Sequence, residues 1–171
     1  MQVSRRMAIT ALAAAALGGS ATAGMSAFGR GGHSHRGHHR GQVVFGSRLA
    51  PSVPTDPALH GVQAGNVPWV LRRGGVTLKR DGRLRLRVRG LVIPAPSGDG
   101  TPGMVTSVTA SLYCGDDTAP ADTSTSSPLS KAGDARIADT LTLPAKCLGP
   151  VVLVHPNGNP ARYIAASGFG A

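Results

Sequence analysis

Residues 83 to 89 read Arg-Leu-Arg-Leu-Arg-Val-Arg, and this strict alternation constrains the fold more than any other feature of the chain. A repeat of two is that of a β-strand, whose successive side chains leave on opposite faces. The stretch is therefore expected as a strand with Leu84, Leu86 and Val88 turned to a core and Arg83, Arg85, Arg87 and Arg89 turned together to water. The opposite register would bury four guanidinium groups, which a small domain could tolerate only with carboxylates beside them. The chain has 8 acidic residues, all Asp, and they are dispersed along it.

The neighbouring sequence has the same character. Asp81-Gly82 precedes the alternating run and is a strong turn signal, because both residues tolerate positive φ. Before it, Trp69-Val70-Leu71-Arg72 and Val76-Thr77-Leu78-Lys79 are β-prone runs separated by Gly74-Gly75. After it, the apolar Gly90-Leu91-Val92-Ile93 continues to Pro94, where a loop to Gly103 begins. Met104 to Cys114 alternates again, with Thr106, Val108, Ala110 and Leu112 on one side and Val105, Ser107, Thr109, Ser111 and Tyr113 on the other. Gly115 to Gly133 has no periodicity and is expected as an exposed loop. Further strands are expected at Asp134–Pro144, Val151–Val154 and Arg162–Ala166, and a short first one at Val43–Phe45. Between them, Pro51, Pro54 and Pro57 argue against regular structure as far as Gly65. No run after the N-terminal region has a helical period. Six or seven short strands with turns between them predict an all-β domain over 43–171, a single antiparallel β-sandwich of immunoglobulin-like or similar type. Its core is expected from Leu84, Leu86, Val88, Val108, Leu112, Leu141, Leu143, Val152, Val154 and Ile164.

The N-terminal region is read as an export signal. Arg5-Arg6 precedes an apolar run from Met7 to Leu17, too short to span a bilayer, and Ala21-Thr22-Ala23 offers small residues for a signal peptidase. Residues 1–23 are thus expected to be removed, by the general secretory route or, given Ser4-Arg5-Arg6, by twin-arginine export. No transmembrane segment is expected in the mature chain. The segment 24–42, rich in His, Gly and Arg, is expected as a disordered linker. In an exported chain the only two cysteines, Cys114 and Cys147, are expected to form a structural disulfide.

Of 18 basic and 8 acidic groups, loss of Arg5 and Arg6 with the leader leaves 16 and 8, a net charge of +8. Half of those 16 lie between Arg72 and Arg89. Four parallel guanidinium forks on one strand face, Arg83, Arg85, Arg87 and Arg89, suit phosphate or sulfate, so a polyanion of the wall or extracellular space is the expected partner. Tyr and Phe are scarce near them, which argues against a nucleic-acid ligand because no stacking platform is supplied. The same face also reads as one that charge keeps solvated and unpaired. His33, His35, His38 and His39 form a cluster able to wrap a borderline metal ion, although no carboxylate lies near to orient the rings. No cofactor is expected. No catalytic constellation stands out, so the chain is read as a binding or structural module of the envelope or extracellular space and not as an enzyme. The alternative is a secreted hydrolase using His155, at the end of the Val151–Val154 strand, with Ser111 or Ser167 as conceivable nucleophile. It lacks a nucleophile elbow.

Three segments carry a resemblance. Gly90-Leu91-Val92-Ile93, Val105 to Leu112, and Val152-Leu153-Val154-His155-Pro156-Asn157-Gly158-Asn159-Pro160 with Tyr163-Ile164 resemble the order of segments in chordin-like CHRD domains, over about Trp69–Phe169. The resemblance implies an extracellular β-sandwich of binding or structural type. The chain departs from it at Ala110-Ser111-Leu112-Tyr113-Cys114, where that family has a His-x-His segment, and at Arg162, where an acidic residue usually follows Asn-Pro. It is also similar to secreted proteins of actinobacterial type, a likeness that implies no activity.

Overall fold

A computed structural model describes residues 41–168. The expected signal peptide (1–23), nearly all of the 24–42 linker and the cluster His33, His35, His38 and His39 lie outside the described residues.

The described residues are all β, with no helix. Eleven strands follow in order: β1 (Val43–Pro51), β2 (Gln63–Ala64), β3 (Arg73–Lys79), β4 (Arg83–Arg89), β5 (Ser107–Tyr113), β6 (Asp122–Thr123), β7 (Ser127–Pro128), β8 (Ala135–Thr140), β9 (Val151–Pro156), β10 (Arg162–Tyr163) and β11 (Ala165–Ser167). Nine of them form one curled, antiparallel sheet in the order β6-β5-β9-β11-β1-β3-β4-β8, with β7 also pairing with β5. Strand β1 joins the two halves. Its first part, to Arg48, pairs with β3, and its last part, Leu49 to Pro51, pairs with β11. The curl brings both halves onto one core. Leu84, Leu86 and Val88 of β4 pack with Val76, Leu78 and Ile137 on their own half and with Val108, Leu112, Val152, Val154 and Ala165 from the other. Every residue expected in the core is buried in it except Leu143, which is half-buried at its edge.

The alternating run is the strand expected. From Arg83 to Arg89 exposure alternates without a break, and Val88 is 0% exposed between two exposed arginines. The Asp81-Gly82 turn forms as read. Gly82 has φ +83°, and a Cβ there would lie 2.1 Å from the Leu141 carbonyl oxygen, so only glycine fits.

Several expectations need correction. Trp69–Arg72 is not a strand: Val70 makes only an isolated bridge to Val92, and β3 begins at Arg73 and runs through Gly74-Gly75. Gly74 does not break the strand, because its missing side chain lets Leu71 and Leu49 pack against the backbone; a Cβ would stand 2.6 Å from Leu71 Cδ2. The apolar Gly90–Ile93 leaves the sheet after Arg89, with Gly90 at φ +64°. Gly115–Gly133 is not simply a loop, since β6 and β7 within it pair with the edge of β5. Arg162–Ala166 is split: β10 pairs in parallel with β2, and β11 pairs with β9 and β1. The proline-rich stretch before Gly65 likewise contributes β2.

The two free edges of the curled sheet meet, and side chains stitch them where no backbone ladder does. Ser127 Oγ donates to the Arg136 carbonyl oxygen at 2.8 Å, and Asp139 Oδ2 accepts from Thr125 N–H at 2.7 Å. Asp122 Oδ2 accepts from Thr142 N–H at 2.6 Å. Those backbone donors hold both carboxyls below the usual carboxylate range. The Cys114–Cys147 disulfide forms as expected, with Cα atoms 5.0 Å apart, and ties the end of β5 to the 143–150 segment.

Candidate polyanion-binding face

The outer surfaces of the two halves differ. Over β5 and β9 the outer face is covered by the chain itself: Val62, Ala64 and Tyr163 close over Tyr113 and Leu153 in a second, smaller apolar cluster. Tyr163 Oη donates to the Pro57 carbonyl oxygen at 2.8 Å, Arg162 Nη1 to that of Ala64 at 2.9 Å, and His60 stacks on Tyr113 at 4.7 Å. Over β3, β4 and β8 the arginines and their neighbours stand exposed.

Strand register sets what that face presents. Residues directly opposite one another project from the same side. Arg87 of β4 faces Gly75 on β3 and Arg136 on β8, and Gly75 in turn faces Arg48 on β1, so one row across the sheet reads Arg48, Gly75, Arg87, Arg136. Gly75, lacking a side chain, leaves open the place between Arg48 and Arg87. The next row reads Gly46, Thr77, Arg85, Ala138, and toward the far end of β4 Arg73 lies opposite Arg89. All four sequence-predicted arginines thus share one face. Arg48, Arg73 and Arg136 join them there, although Arg48 and Arg136 lie far from the run in sequence.

Two arginine pairs, Arg73 with Arg89 and Arg87 with Arg136, stand directly across strands. Like charges in that position destabilise a sheet. Among the described residues the only ion pair is Arg83 with Asp81, at 2.7 Å across the turn. It lowers the Asp81 carboxyl below its ordinary value and raises the Arg83 guanidinium. The other carboxylates nearby are engaged with backbone: Asp134 Oδ1 accepts from Gly90 N–H at 2.9 Å, and Asp139 serves the seam. The face therefore has seven arginines and one neutralising acid.

No family model, curated protein or solved structure matches the chain.

His155, the alternative site residue, is 1% exposed on the covered face of β9, opposite Thr109 of β5. Its Nδ1 lies 2.8 Å from the Arg162 carbonyl oxygen, which can only accept, so Nδ1 carries the proton and Nε2 is left as a buried acceptor with no partner. Ser111 Oγ is bonded to Thr123 Oγ1, and Ser167 Oγ accepts from Val152 N–H, so neither serine reaches the ring. The arrangement holds a neutral imidazole as a structural link between β9 and β10.

Burial depresses the His155 pKa below its ordinary value near 6.5. The unfolded chain then takes up a proton first as pH falls, so stability contributed by the neutral ring is complete above about pH 6.5 and declines below it. Urea midpoints are expected to fall between pH 7.5 and 5 in the native protein. The variant His155→Asn, which keeps a donor for the Arg162 carbonyl but cannot titrate, should lose that slope. An equal slope in both would assign the pH dependence elsewhere.

Proposed function

We propose that the protein is an exported binding module that holds a polyanion of the wall or extracellular space on the outer face of β1, β3, β4 and β8. The observation that carries this reading is the unneutralised register: two arginine pairs face each other across strands on a bare sheet face, while the outer face of the other half, over β5 and β9, is covered by the chain's own segments. A sequence that tolerates such repulsion, with most nearby acids spent on backbone donors, leaves a site for anions supplied from outside. Guanidinium forks at strand spacing suit the phosphates or sulfates of a flexible polymer, and the absence of aromatic side chains from the rows just described favours such polymers over nucleic acid.

Export is part of the proposal. The Cys114–Cys147 disulfide suits an oxidising compartment, and the basic and apolar N-terminal run suits a leader removed before Gly24. The fold is proposed as a sandwich whose two halves share β1, of the extracellular kind that the chordin-like resemblance implies. Hydrolysis through His155 gains no support from a ring whose Nε2 meets no nucleophile.

Protein recovered from the medium, with its N terminus sequenced as Gly24, is expected to bind immobilised heparin and poly(glycerol phosphate) with an affinity that falls linearly in log–log terms as salt rises. Changing Arg85 and Arg87 together to Ala should lower that slope by about 2, one for each lost contact. Passage through both matrices at low salt, or unchanged retention of the double variant, would remove the proposal.

A further inference from the structure

A second site lies at the end of the curled sheet, apart from the arginine face. A partly enclosed cavity of about 310 Å³ opens between the start of β1, the end of β3 and the 143–150 segment, within the size range of small-molecule sites. Apolar side chains line it, among them Phe45, Leu78, Leu112 and Leu143, with Cys147 of the disulfide in one side, while nearly half of the lining surface is polar. Among the described residues the only charged side chain lining it is Arg80.

Three independent features build it. The register of β1 against β3 shifts between Val43 and Phe45, a bulge of the kind that re-aims side chains at a sheet's rim, and it sets Phe45 opposite Leu78. The disulfide fixes the 143–150 segment over the end of the core, assisted by Gly115 N–H donating to the Leu148 carbonyl oxygen. Arg80 is positioned through its backbone, whose N–H donates to the Gln42 carbonyl oxygen at 2.8 Å, while among the described residues its guanidinium has no ion-pair partner. Phe45, Leu143 and Cys147 line the cavity and are only partly buried although they pack on the core, so among the described residues part of their surface is left uncovered.

We propose that this cavity binds a single-chain aliphatic carboxylic acid, the chain lying along Phe45, Leu78, Leu112 and Leu143 and the carboxylate meeting Arg80. Charge selects the acid. A pocket lined by apolar side chains and, among the described residues, one guanidinium group without an ion-pair partner matches a ligand with one apolar body and one anionic head, and neither a polycation nor a neutral sugar offers that pair of features. The site is separate from the arginine face and stands whether or not that face binds a polymer.

The test uses the secreted protein titrated calorimetrically with decanoate and with decanol, both kept below the concentrations at which they aggregate. Saturable binding of one decanoate per chain is expected, with decanol binding more weakly. Arg80→Gln should weaken decanoate binding by roughly tenfold or more, as loss of a charge-assisted contact implies, and leave decanol unchanged. Leu143→Arg, which fills the pocket with a charged side chain, should abolish both, its thermal unfolding being checked against the native protein. Arg87→Ser, on the outer face, should change neither.

Absence of saturable decanoate binding would overturn the proposal, as would equal binding by Arg80→Gln. So would loss of binding in Arg87→Ser, which would place the acid on the sheet face, or binding only to anionic lipid vesicles and not to dispersed decanoate.

Discussion

Replacing Leu86 by Asp is expected to leave no cooperatively folded domain, while replacing its neighbour Arg87 by Asp leaves the fold intact. Leu86 is 1% exposed at the centre of β4, between Val76 of β3 and Ile137 of β8. Loss of its side chain alone would cost about 2–5 kcal/mol. An unpaired carboxylate in the same place adds several more, and a domain of this size has about 5–15 kcal/mol in total. Arg87 points the other way, toward Arg136, so an acid there relieves a like-charge contact and should change stability by no more than about 0.5 kcal/mol. Urea unfolding followed by the fluorescence of Trp69, the only tryptophan, separates the two. A cooperative transition in Leu86→Asp, or its loss in Arg87→Asp, would contradict the orientation of β4.

Removal of the disulfide has the next largest expected effect. Cys114 and Cys147 are 33 residues apart, and opening a loop of that length costs about 3–4 kcal/mol through the entropy returned to the unfolded chain. The double variant Cys114→Ser, Cys147→Ser should therefore unfold at a clearly lower urea concentration, and reductant should shift the native protein to the same midpoint. The loss is expected to be felt first near residues 143–150, where the one described backbone–backbone bond outside the strands is that from Gly115 to Leu148. A native midpoint indifferent to reductant would show that the bond constrains nothing that unfolding releases.

What could be read from the sequence follows from where each signal is stored. The orientation of β4, the Asp81-Gly82 turn and the apolar side of β5 are local, because alternation and turn chemistry are written in consecutive residues, whereas Val151-Val152-Leu153-Val154 is apolar throughout and carries no period. The disulfide was legible because only two cysteines exist. Arg48 and Arg136 were missed as members of the basic face because membership depends on the register of β1 and β8 against their partners, which single residues do not encode. Gly74-Gly75 was read as an interruption because a glycine that admits a close neighbour looks the same in sequence as one that turns the chain. The pairing of β6 and β7 was invisible for a related reason: two-residue strands of Asp, Thr, Ser and Pro have no period. On the second face of β5, Tyr113 is covered by His60, Val62 and Ala64, which contacts distant in sequence bring there.

The double membership of β1 sets the order in which the chain can acquire its shape. The β3–β4 hairpin joins residues no more than 16 apart in sequence, Arg73 with Arg89 being the farthest pair, and can form as soon as it is synthesised, but the last part of β1 has no partner until β11 exists. Ser52 bonds to the Tyr163 carbonyl across 111 residues. Contacts of that separation are slow to find, on the order of milliseconds to seconds in folds dominated by them. The closing step therefore waits for residues 162–167, and until then β1 presents an open strand edge to any other chain nearby.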